Sequence, residues 1–268
     1  MLVLDLDGTV VQQQGQVGRR TLAAVHAAQN AGLLLVVATG RRLRNALPYL
    51  RLLGADGPNI FCNGAVTVDL GSWRTMAYEP LGASGTETAA EWLSLGLNPL
   101  VCSYTLRGAD VACAAPVTTG PEWLMRGVRY GEIAPVEDVA AIAGAGLKLM
   151  AVVPQPDLPA ALSALAPGHC MTTVDEGGVT LLEFWRNDVS KAAAVHRLAR
   201  AAGISRAEII AFGDNTNDVE LLEYAGLGVA MGNAVPEAVR AASFVTGGCA
   251  DDGVADVLEM LGFHARVA

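Results

Sequence analysis

The hydrophobic pattern at both ends of the chain alternates between short apolar runs and longer helical segments. The continuous apolar runs at residues 2–4 and 33–38 are typical of parallel strands buried on both faces. The segments 19–31 and 43–53 predict helices, because each is closed by a glycine that suits a helix C-terminus. The same pattern predicts strands at 60–62, 209–212, 227–230 and 244–246, helices at 190–202, 218–224, 235–241 and 254–261, and a hairpin of 65–68 with 74–78. Strand and helix therefore alternate at both ends, which predicts one doubly wound α/β domain.

The middle of the chain has a different order of predicted elements. Hairpins are predicted where 100–105 faces 110–114 and where 170–174 faces 179–184, the second around Glu176-Gly177-Gly178. Helices at 86–95, 139–143 and 158–165 and a strand at 147–153 are mixed with them. This mixture is typical of an α+β fold. The sequence therefore predicts an α+β domain at residues 80–185, inserted into an α/β domain formed by residues 1–79 and 186–268.

Composition and charge narrow the function classes. The chain has 268 residues, of which 52% are hydrophobic, and a net charge of −9. Nucleic acid would repel a chain of this charge unless a basic patch compensated, and the sequence contains no basic block. No apolar run is long enough to span a membrane, and the N-terminus lacks the apolar region of a signal peptide. The five cysteines form no Cys-x-x-Cys pair, which favours buried thiols in a reducing compartment. We expect a cytoplasmic protein; its oligomeric state is not set by these features.

Polar residues follow several of the predicted core strands. Asp5 and Asp7 follow the first, Thr39 the second, Asn63 the third, and Asp214 the strand at 209–212. In a doubly wound sheet the carboxyl ends of the strands meet at the ligand-binding edge. Carboxylates crowded there repel one another unless a cation intervenes, and Mg²⁺ suits such oxygen ligands. Asp5 can attack phosphorus as a nucleophile, and Asp7 can serve as a general acid and base.

A lysine and a second acidic cluster add to this site. The chain has two lysines, Lys148 and Lys191, and Lys191 lies in the first turn of a predicted helix after Ser190, a good N-cap. A cation at this position interacts unfavourably with the helix dipole. We therefore expect Lys191 to face an anion, such as Asp5 or a phosphoryl group. Residues 214–218, Asp-Asn-Thr-Asn-Asp, place two carboxylates four positions apart. One can bind a metal ion while the other holds Lys191 or a metal-bound water.

Four motifs resemble those of the haloacid dehalogenase (HAD) superfamily, in the order found there. Residues 5–10 (Asp-Leu-Asp-Gly-Thr-Val) resemble motif I, 39–41 (Thr-Gly-Arg) motif II, Lys191 motif III, and 213–218 motif IV. Residues 63–65 (Asn-Gly-Ala) and 231–234 (Met-Gly-Asn-Ala) resemble the Cof-type branch with a type IIB cap. The resemblance spans almost the whole chain and implies a Rossmann-like core with an inserted α+β cap. One departure is Arg186 and Asp188, where family members often carry proline and glycine.

The resemblance also implies a set of residue roles. Asp5 would be the nucleophile, Asp7 the general acid and base, Thr39 the phosphoryl-binding hydroxyl and Lys191 the electrostatic stabiliser. The implied Mg²⁺ ligands are the Asp5 side chain, the Asp7 carbonyl and Asp214, with Asn217 and Asp218 in support. The substrate-binding set would consist of Thr39, Gly40, Arg41, Asn63 and Gly64.

Plainer structural roles exist for several of these residues. Thr39 and Asp214 taken alone are typical helix N-caps, and Asn63-Gly64 is most simply a turn. Arg41 taken alone is a solvated helix residue. The four histidines show no ligand spacing and are interpreted as structural. The four motifs together favour the catalytic interpretation over these single-residue alternatives.

The predicted function is therefore that of a Mg²⁺-dependent phosphatase. It would hydrolyse a small phosphorylated metabolite, such as a sugar phosphate, through an aspartyl-phosphate on Asp5. A phosphomutase that uses the same intermediate is one alternative. A non-catalytic phosphate-binding module is another, although every catalytic position is filled. A dehalogenase is less favoured, because Asp7 has no clear use in that reaction.

Overall fold

The computed structural model describes residues 1–104, 110–118, 122–174 and 180–264. The chain divides into two compact units. The first comprises Met1–Tyr78 and Ser190–Ala268, and the second comprises Glu79–Val189. The second unit is therefore inserted between two segments of the first.

The bounds of most elements follow the predicted pattern. The strands are β1 (Leu2–Leu4), β2 (Leu35–Val37), β3 (Pro58–Phe61), β4 (Val66–Asp69), β5 (Arg74–Tyr78), β6 (Leu100–Cys102), β7 (Val111–Cys113), β8 (Ile133–Pro135), β9 (Lys148–Val153), β10 (Gly168–Val174), β11 (Thr180–Arg186), β12 (Ile210–Gly213), β13 (Leu227–Ala230) and β14 (Phe244–Val245). The helices are α1 (Arg19–Asn30), α2 (Leu43–Leu53), α3 (Ala83–Ser94), α4 (Glu122–Arg129), α5 (Val139–Ala143), α6 (Leu158–Ser163), α7 (Lys191–Ala202), α8 (Val219–Tyr224), α9 (Pro236–Ala241) and α10 (Gly253–Met260). No helix among the described residues is both long and apolar enough to cross a membrane.

The first unit is built on a parallel sheet with strands from both of its segments. The order is β14-β13-β12-β1-β2, and every neighbouring pair is parallel. Because such strands are covered on both faces, they are continuous apolar runs, and each residue of β1 is fully buried. Side chains of α7 and α8 pack with β1, β2 and β12 in one buried cluster. The predicted doubly wound α/β core is confirmed.

A side chain from a distant part of the sequence caps the first helix of this unit. Asp252 Oδ1 accepts hydrogen bonds from the backbone N of Thr21, at 3.1 Å, and from its hydroxyl, at 2.6 Å. Gly18, which precedes α1, leaves room for this carboxylate, since a Cβ there would lie 1.7 Å from Asp252 Oδ1. The start of α1 is thereby tied to the start of α10.

The third predicted core strand lies elsewhere. The prediction placed it at residues 60–62 in the main sheet, but β3 pairs antiparallel with β4 in a separate sheet of order β3-β4-β5. A single parallel bridge between Ala38 and Ile60 links β3 to β2. Strand β3 ends at Phe61 because Cys62 adopts a positive φ of 50° and begins a 3₁₀ turn over Cys62–Gly64. The predicted hairpin of β4 and β5 is confirmed.

The second unit is a mixed sheet with helices on it. Its order is β10-β11-β9-β6-β7-β8, antiparallel except for the parallel pair β7 and β8. Residues of α3, α5 and α6 form a buried cluster with β9 and β11, and Trp92 Nε1 donates to the Ala161 carbonyl at 3.1 Å within it. Lys148 and Glu183 form a buried ion pair on the opposite sheet face. The predicted α+β character is confirmed, whereas the predicted turn at 176–178 lies outside the described residues.

Two elements of this unit were not predicted. Helix α4 and strand β8 occupy a stretch to which the pattern gave no element. The two elements pack together, because Leu124 of α4 and Ile133 of β8 are buried in one cluster with β6 and β7. The helix contains Gly127, which weakens a helical signal in the sequence.

Candidate active site

The loops that follow β1 and β12 meet at the carboxyl edge of the parallel sheet. The backbone N of Asp5 donates to the carbonyl of Phe212 at 3.2 Å. Gly8 has a φ of +74°, and a Cβ there would lie 2.1 Å from Asp214 Oδ2. Glycine is therefore required at this point, because no side chain fits between the two loops. The predicted approach of Asp5 and Asp214 follows from this packing.

Lys191 is buried between two aspartates. Its Nζ donates to Asp5 Oδ1 at 2.6 Å and to Asp218 Oδ1 at 2.7 Å. All three side chains are less than one tenth exposed. Burial alone would lower the pKa of the Lys191 ammonium, but the carboxylates of Asp218 and Asp5 outweigh it and raise that pKa above the ordinary value. Lys191 is therefore charged throughout the physiological range.

Asp218 organises the second acidic loop. Its Oδ2 accepts hydrogen bonds from the backbone N of Asp214 and of Asn215, both at 3.1 Å. Its Oδ1 faces Lys191. Both oxygens are thus engaged, so Asp218 fixes the loop that carries Asp214 and at the same time holds the lysine.

The three buried aspartates form a candidate metal centre. One carboxylate oxygen from each of Asp5, Asp214 and Asp218 lies within 4.8 Å of the others. Burial raises the pKa of Asp5 well above its ordinary value, although Lys191 opposes this. Burial and then the Asp218 carboxylate raise the pKa of Asp214 to about 7. With all groups ionised, three carboxylates face one ammonium, and a divalent cation would balance the excess of negative charge.

Asp7 lies at the open side of this site, paired with Arg41. Arg41 Nε donates to Asp7 Oδ2 at 2.8 Å, and Nη2 donates to Asp7 Oδ1 at 2.5 Å. The Arg41 guanidinium also lies 4.6 Å from the centre of the Tyr49 ring and donates to the Asn45 carbonyl at 3.2 Å. The structure therefore joins two predicted site residues, Asp7 and Arg41, in a bidentate ion pair.

The loop after β2 carries Thr39 and Gly40. Thr39 is fully buried, and its Oγ1 accepts a hydrogen bond from the backbone N of Arg41 at 3.1 Å. Helix α2 begins only at Leu43, with Arg42 as its N-cap residue, so Thr39 is not a helix N-cap. The hydroxyl instead shapes the loop that leads to Arg41.

Asn63 and Asn217 form a side-chain pair beside this loop. Asn217 Nδ2 donates to Asn63 Oδ1 at 2.9 Å, and a Cβ on Gly40 would lie 2.8 Å from the same oxygen. Within the described part of the chain, Asn63 Nδ2 and Asn217 Oδ1 are buried without a hydrogen-bond partner. Asn217 thus lies with the predicted substrate-binding residues, although it was predicted as a support of the metal.

Two further residues of the site were not selected from the sequence. Thr9 Oγ1 donates to Asp214 Oδ1 at 3.3 Å. Asn233 Nδ2 donates to the Gly8 carbonyl at 2.8 Å and lies 3.4 Å from Asp214 Oδ2, while its Oδ1 accepts from the backbone N of Cys249 at 2.7 Å. Both lie within recognised motifs, but nothing in the local pattern connected them to Asp214.

Fold and site together define an α/β core with an inserted α+β domain and a cluster of buried carboxylates around a lysine at the sheet edge. A comparison of the sequence with models of protein families shows that the family of haloacid dehalogenase-like hydrolases matches residues 2–258. The chain belongs to this family. It is an enzyme of the HAD phosphatase type, and the predicted resemblance to the Cof-type branch is confirmed.

Relatives and solved structures agree with this placement over the full length. The pyridoxal phosphate phosphatase YbhA of Escherichia coli (strain K12) is 28% identical, covering 96% of this chain and 97% of its own. The crystal structure of a haloacid dehalogenase-like hydrolase from Bacteroides thetaiotaomicron has a TM-score of 0.79 at 26% identity, covering 97% and 98% of the two chains. The structure of a sugar phosphatase of HAD subclass IIB has a TM-score of 0.78 at 20% identity, covering 98% of each chain, and supports the fold alone.

Proposed function

We propose that this protein is a Mg²⁺-dependent phosphatase that hydrolyses a small phosphorylated metabolite through an aspartyl-phosphate on Asp5. The observation that carries the proposal is the buried contact of Lys191 with Asp5 and Asp218, at 2.6 and 2.7 Å. An ammonium held there offsets negative charge on both the nucleophile and the transferring phosphoryl group. A purely structural ion pair would not need the third carboxylate, Asp214, beside it.

The donor set fits Mg²⁺. It consists of hard oxygen atoms and carries excess negative charge, which is what this cation requires. Asp5, the carbonyl of Asp7 and Asp214 would hold the ion, with Asp218 in support through its hydrogen bonds to the loop of Asp214. When bound, Mg²⁺ would neutralise charge on the phosphate and favour the ionised form of the carboxylates.

The proposed reaction has two steps. In the first, an oxygen of Asp5 forms a bond to phosphorus, the bond to the leaving oxygen breaks, and Asp7 gives its proton to that oxygen. In the second, the Asp7 carboxylate takes a proton from water, whose oxygen attacks the phosphorus and displaces Asp5. The products are the dephosphorylated alcohol and inorganic phosphate. Lys191 keeps its proton throughout, in line with the raised pKa of its ammonium.

The phosphate-binding side is proposed to comprise Thr39, Gly40, Arg41, Asn63 and Gly64. The buried Asn63 Nδ2, which has no partner among the described residues, is a donor that a phosphoryl oxygen would satisfy. The Arg41 guanidinium would bind the substrate in exchange for Asp7, which frees that carboxyl for proton transfer. Asn217 supports this side through its hydrogen bond to Asn63.

The substrate class is proposed from the relatives. One is a pyridoxal phosphate phosphatase and a structural neighbour is a sugar phosphatase, so both act on small phosphomonoesters. We propose a sugar phosphate or a similar metabolite, with residues 80–185 as the cap domain between the two parts of the core. A cytoplasmic location is proposed because the cysteines are free thiols. The net charge of −9 argues against a nucleic acid substrate.

Hydrolysis of p-nitrophenyl phosphate with and without Mg²⁺ tests the mechanism. We expect Asp5→Asn and EDTA each to abolish turnover, while Asp56→Asn, which changes an exposed carboxylate of the same unit, leaves it intact. Turnover that survives Asp5→Asn would exclude the aspartyl-phosphate. A panel of phosphorylated metabolites then identifies the substrate: phosphate release supports a phosphatase, isomer formation a mutase, and binding without turnover a non-catalytic module.

A further inference from the structure

The turn Cys62–Gly64 adopts a backbone conformation that side chains rarely allow. Its three residues have consecutive positive φ angles of 50°, 58° and 110°. Cys62 and Asn63 both carry a Cβ, and both are buried. Such strain persists only where surrounding contacts hold it, and it is concentrated at functional sites. The turn contacts the loop after β2 on one side and the start of α7 on the other.

On one side the turn is held by the loop after β2. The backbone N of Cys62 donates to the carbonyl of Arg41 at 3.0 Å, and the backbone N of Asn63 donates to the carbonyl of Thr39 at 3.1 Å. Two hydrogen bonds between buried backbones join the segments firmly. The position of the turn is therefore fixed relative to the loop that carries Thr39.

On its other side the turn lies against the first residues of α7. A Cβ on Gly64 would lie 2.3 Å from the Ser190 carbonyl oxygen and 3.3 Å from the backbone N of Lys191. Arg197, almost two turns further along α7, donates to the Gly64 carbonyl at 3.4 Å. The start of the helix that carries Lys191 is therefore pressed directly against the backbone of Gly64.

We propose that Gly64 is a positioning residue for Lys191. Because Gly64 has no Cβ, α7 begins close enough for Lys191 Nζ to reach Asp5 at 2.6 Å and Asp218 at 2.7 Å. The strained turn thus sets the spacing between the Thr39 loop and the lysine. The consequence for catalysis rests on the proposed function, whereas the position of Lys191 can be measured without any turnover.

Gly64→Ala is the variant that tests this role. The added Cβ would lie 2.3 Å from the Ser190 carbonyl oxygen, about 0.7 Å closer than the 3.0 Å below which Cβ contacts are essentially never seen. This oxygen belongs to the backbone and cannot rotate away. The start of α7 must then shift, which lengthens the contacts of Lys191. A displacement of about 1 Å in a reacting group costs up to about 10²-fold in rate. We expect kcat for p-nitrophenyl phosphate to fall about 10- to 100-fold while KM changes less than about threefold.

Two glycines of the same unit provide matched controls. Gly203, at the C-terminus of α7, has a φ of +67° and open space around its Cβ position. Gly203→Ala therefore repeats the backbone strain without the clash. Gly226 lies before β13, at the opposite edge of the sheet, and its Cβ would lie 2.7 Å from the carbonyl of Arg206. Gly226→Ala repeats the clash away from the site, and both controls should keep kcat within about threefold of wild type.

Nuclear magnetic resonance of the lysine side chains reports directly on the position of Lys191. Lys148 and Lys191 are the two lysines of the chain, so [¹³Cε,¹⁵Nζ]-lysine labelling yields two signals, one from each unit. Gly64→Ala should shift the Lys191 signal and leave that of Lys148 in place. In the wild type, a nuclear Overhauser effect should connect Gly64 Hα with the Lys191 amide proton, and this holds even if the variant does not fold.

The outcomes separate this proposal from the proposed function. An unshifted Lys191 signal in folded Gly64→Ala overturns the positioning role, and so does the absence of the wild-type Overhauser effect. A rise in KM with unchanged kcat would overturn the positioning role, because Gly64 would then act through the phosphate-binding side alone. A shifted Lys191 signal in a protein without phosphatase activity would support the positioning role and contradict the proposed function alone.

Discussion

Magnesium affinity should depend on pH because Asp214 is buried beside a second carboxylate. Burial and the Asp218 carboxylate raise the pKa of Asp214 to about 7 in the metal-free protein. A carboxyl group that carries a proton is a poor ligand, so protons and Mg²⁺ compete for Asp214. We therefore expect the affinity for Mg²⁺ to fall as the pH drops through 7, and each bound ion to release protons.

The pKa of Asp214 sets the size of this effect. With a pKa of about 7, roughly one tenth of the group is ionised at pH 6 and roughly nine tenths at pH 8. The apparent affinity should then rise about tenfold between these two pH values. Burial also raises the pKa of Asp5, which acts in the same direction, so tenfold is a lower limit. At pH 7 Asp214 alone should release about half a proton per bound ion.

Isothermal titration calorimetry of the EDTA-stripped protein measures both quantities. Mg²⁺ is titrated at pH 6, 7 and 8, each in two buffers with different ionisation enthalpies, and the difference in heat between the buffers counts the released protons. Asp56→Asn, in an exposed position of the same unit, should reproduce the wild-type dependence. An affinity that changes less than about threefold, with no proton release, would refute the assumption that buried carboxylates hold the metal.

Four further substitutions test other parts of the structure. Lys191→Met leaves two buried carboxylates without their cation, so urea unfolding should show a loss of about 3–5 kcal/mol, and kinetics a loss of at least about 10²-fold in kcat. Lys148→Met breaks the buried ion pair of the second unit; stability should fall comparably, with turnover of p-nitrophenyl phosphate retained. Asp252→Ala removes the cap of α1 and should cost about 1–2 kcal/mol in urea unfolding at unchanged kcat. Without metal, Asp214→Asn should stabilise the protein more at pH 8 than at pH 5, by up to about 3 kcal/mol in urea unfolding.

The sign of the last prediction follows from the direction of the pKa shift. The pKa of Asp214 rises from 3.8 in the unfolded chain to about 7 in the fold. Its protonated form therefore favours folding below pH 3.8, and this contribution is lost as the pH rises through 7. Asparagine does not ionise and avoids the loss. Equal effects at the two pH values, or equal kcat losses for Lys191→Met and Lys148→Met, would contradict these interpretations.

Much of the fold could be predicted because its signals are local. The bounds of α2 match the prediction at both ends, since Gly54 adopts the left-handed conformation that stops the helix. The role of β3 could not be predicted in the same way. A short apolar run reveals a strand but not its partner, and here the backbone reversal at Cys62 turns the chain back to pair with β4.

The residues of the candidate site could be selected as a set, but their contacts could not be predicted. Asp5, Lys191 and Asp214 lie in motifs at the start or end of predicted elements, where spacing is informative. The bidentate pairing of Asp7 with Arg41, and the hydrogen bonds of Asn233, connect residues that are distant in sequence. Such contacts depend on how loops meet at the sheet edge, and periodicity carries no information on that.

The burial of both lysines has a practical consequence for handling the protein. Lys148 and Lys191 are each about one twentieth exposed or less, so the side-chain cations on the folded surface are arginines. Amine-reactive dyes, cross-linkers and immobilisation resins therefore find no lysine on the native protein. The same reagents become a sensitive reporter of opening, because modification of either ε-amino group requires one unit or the other to expose its interior.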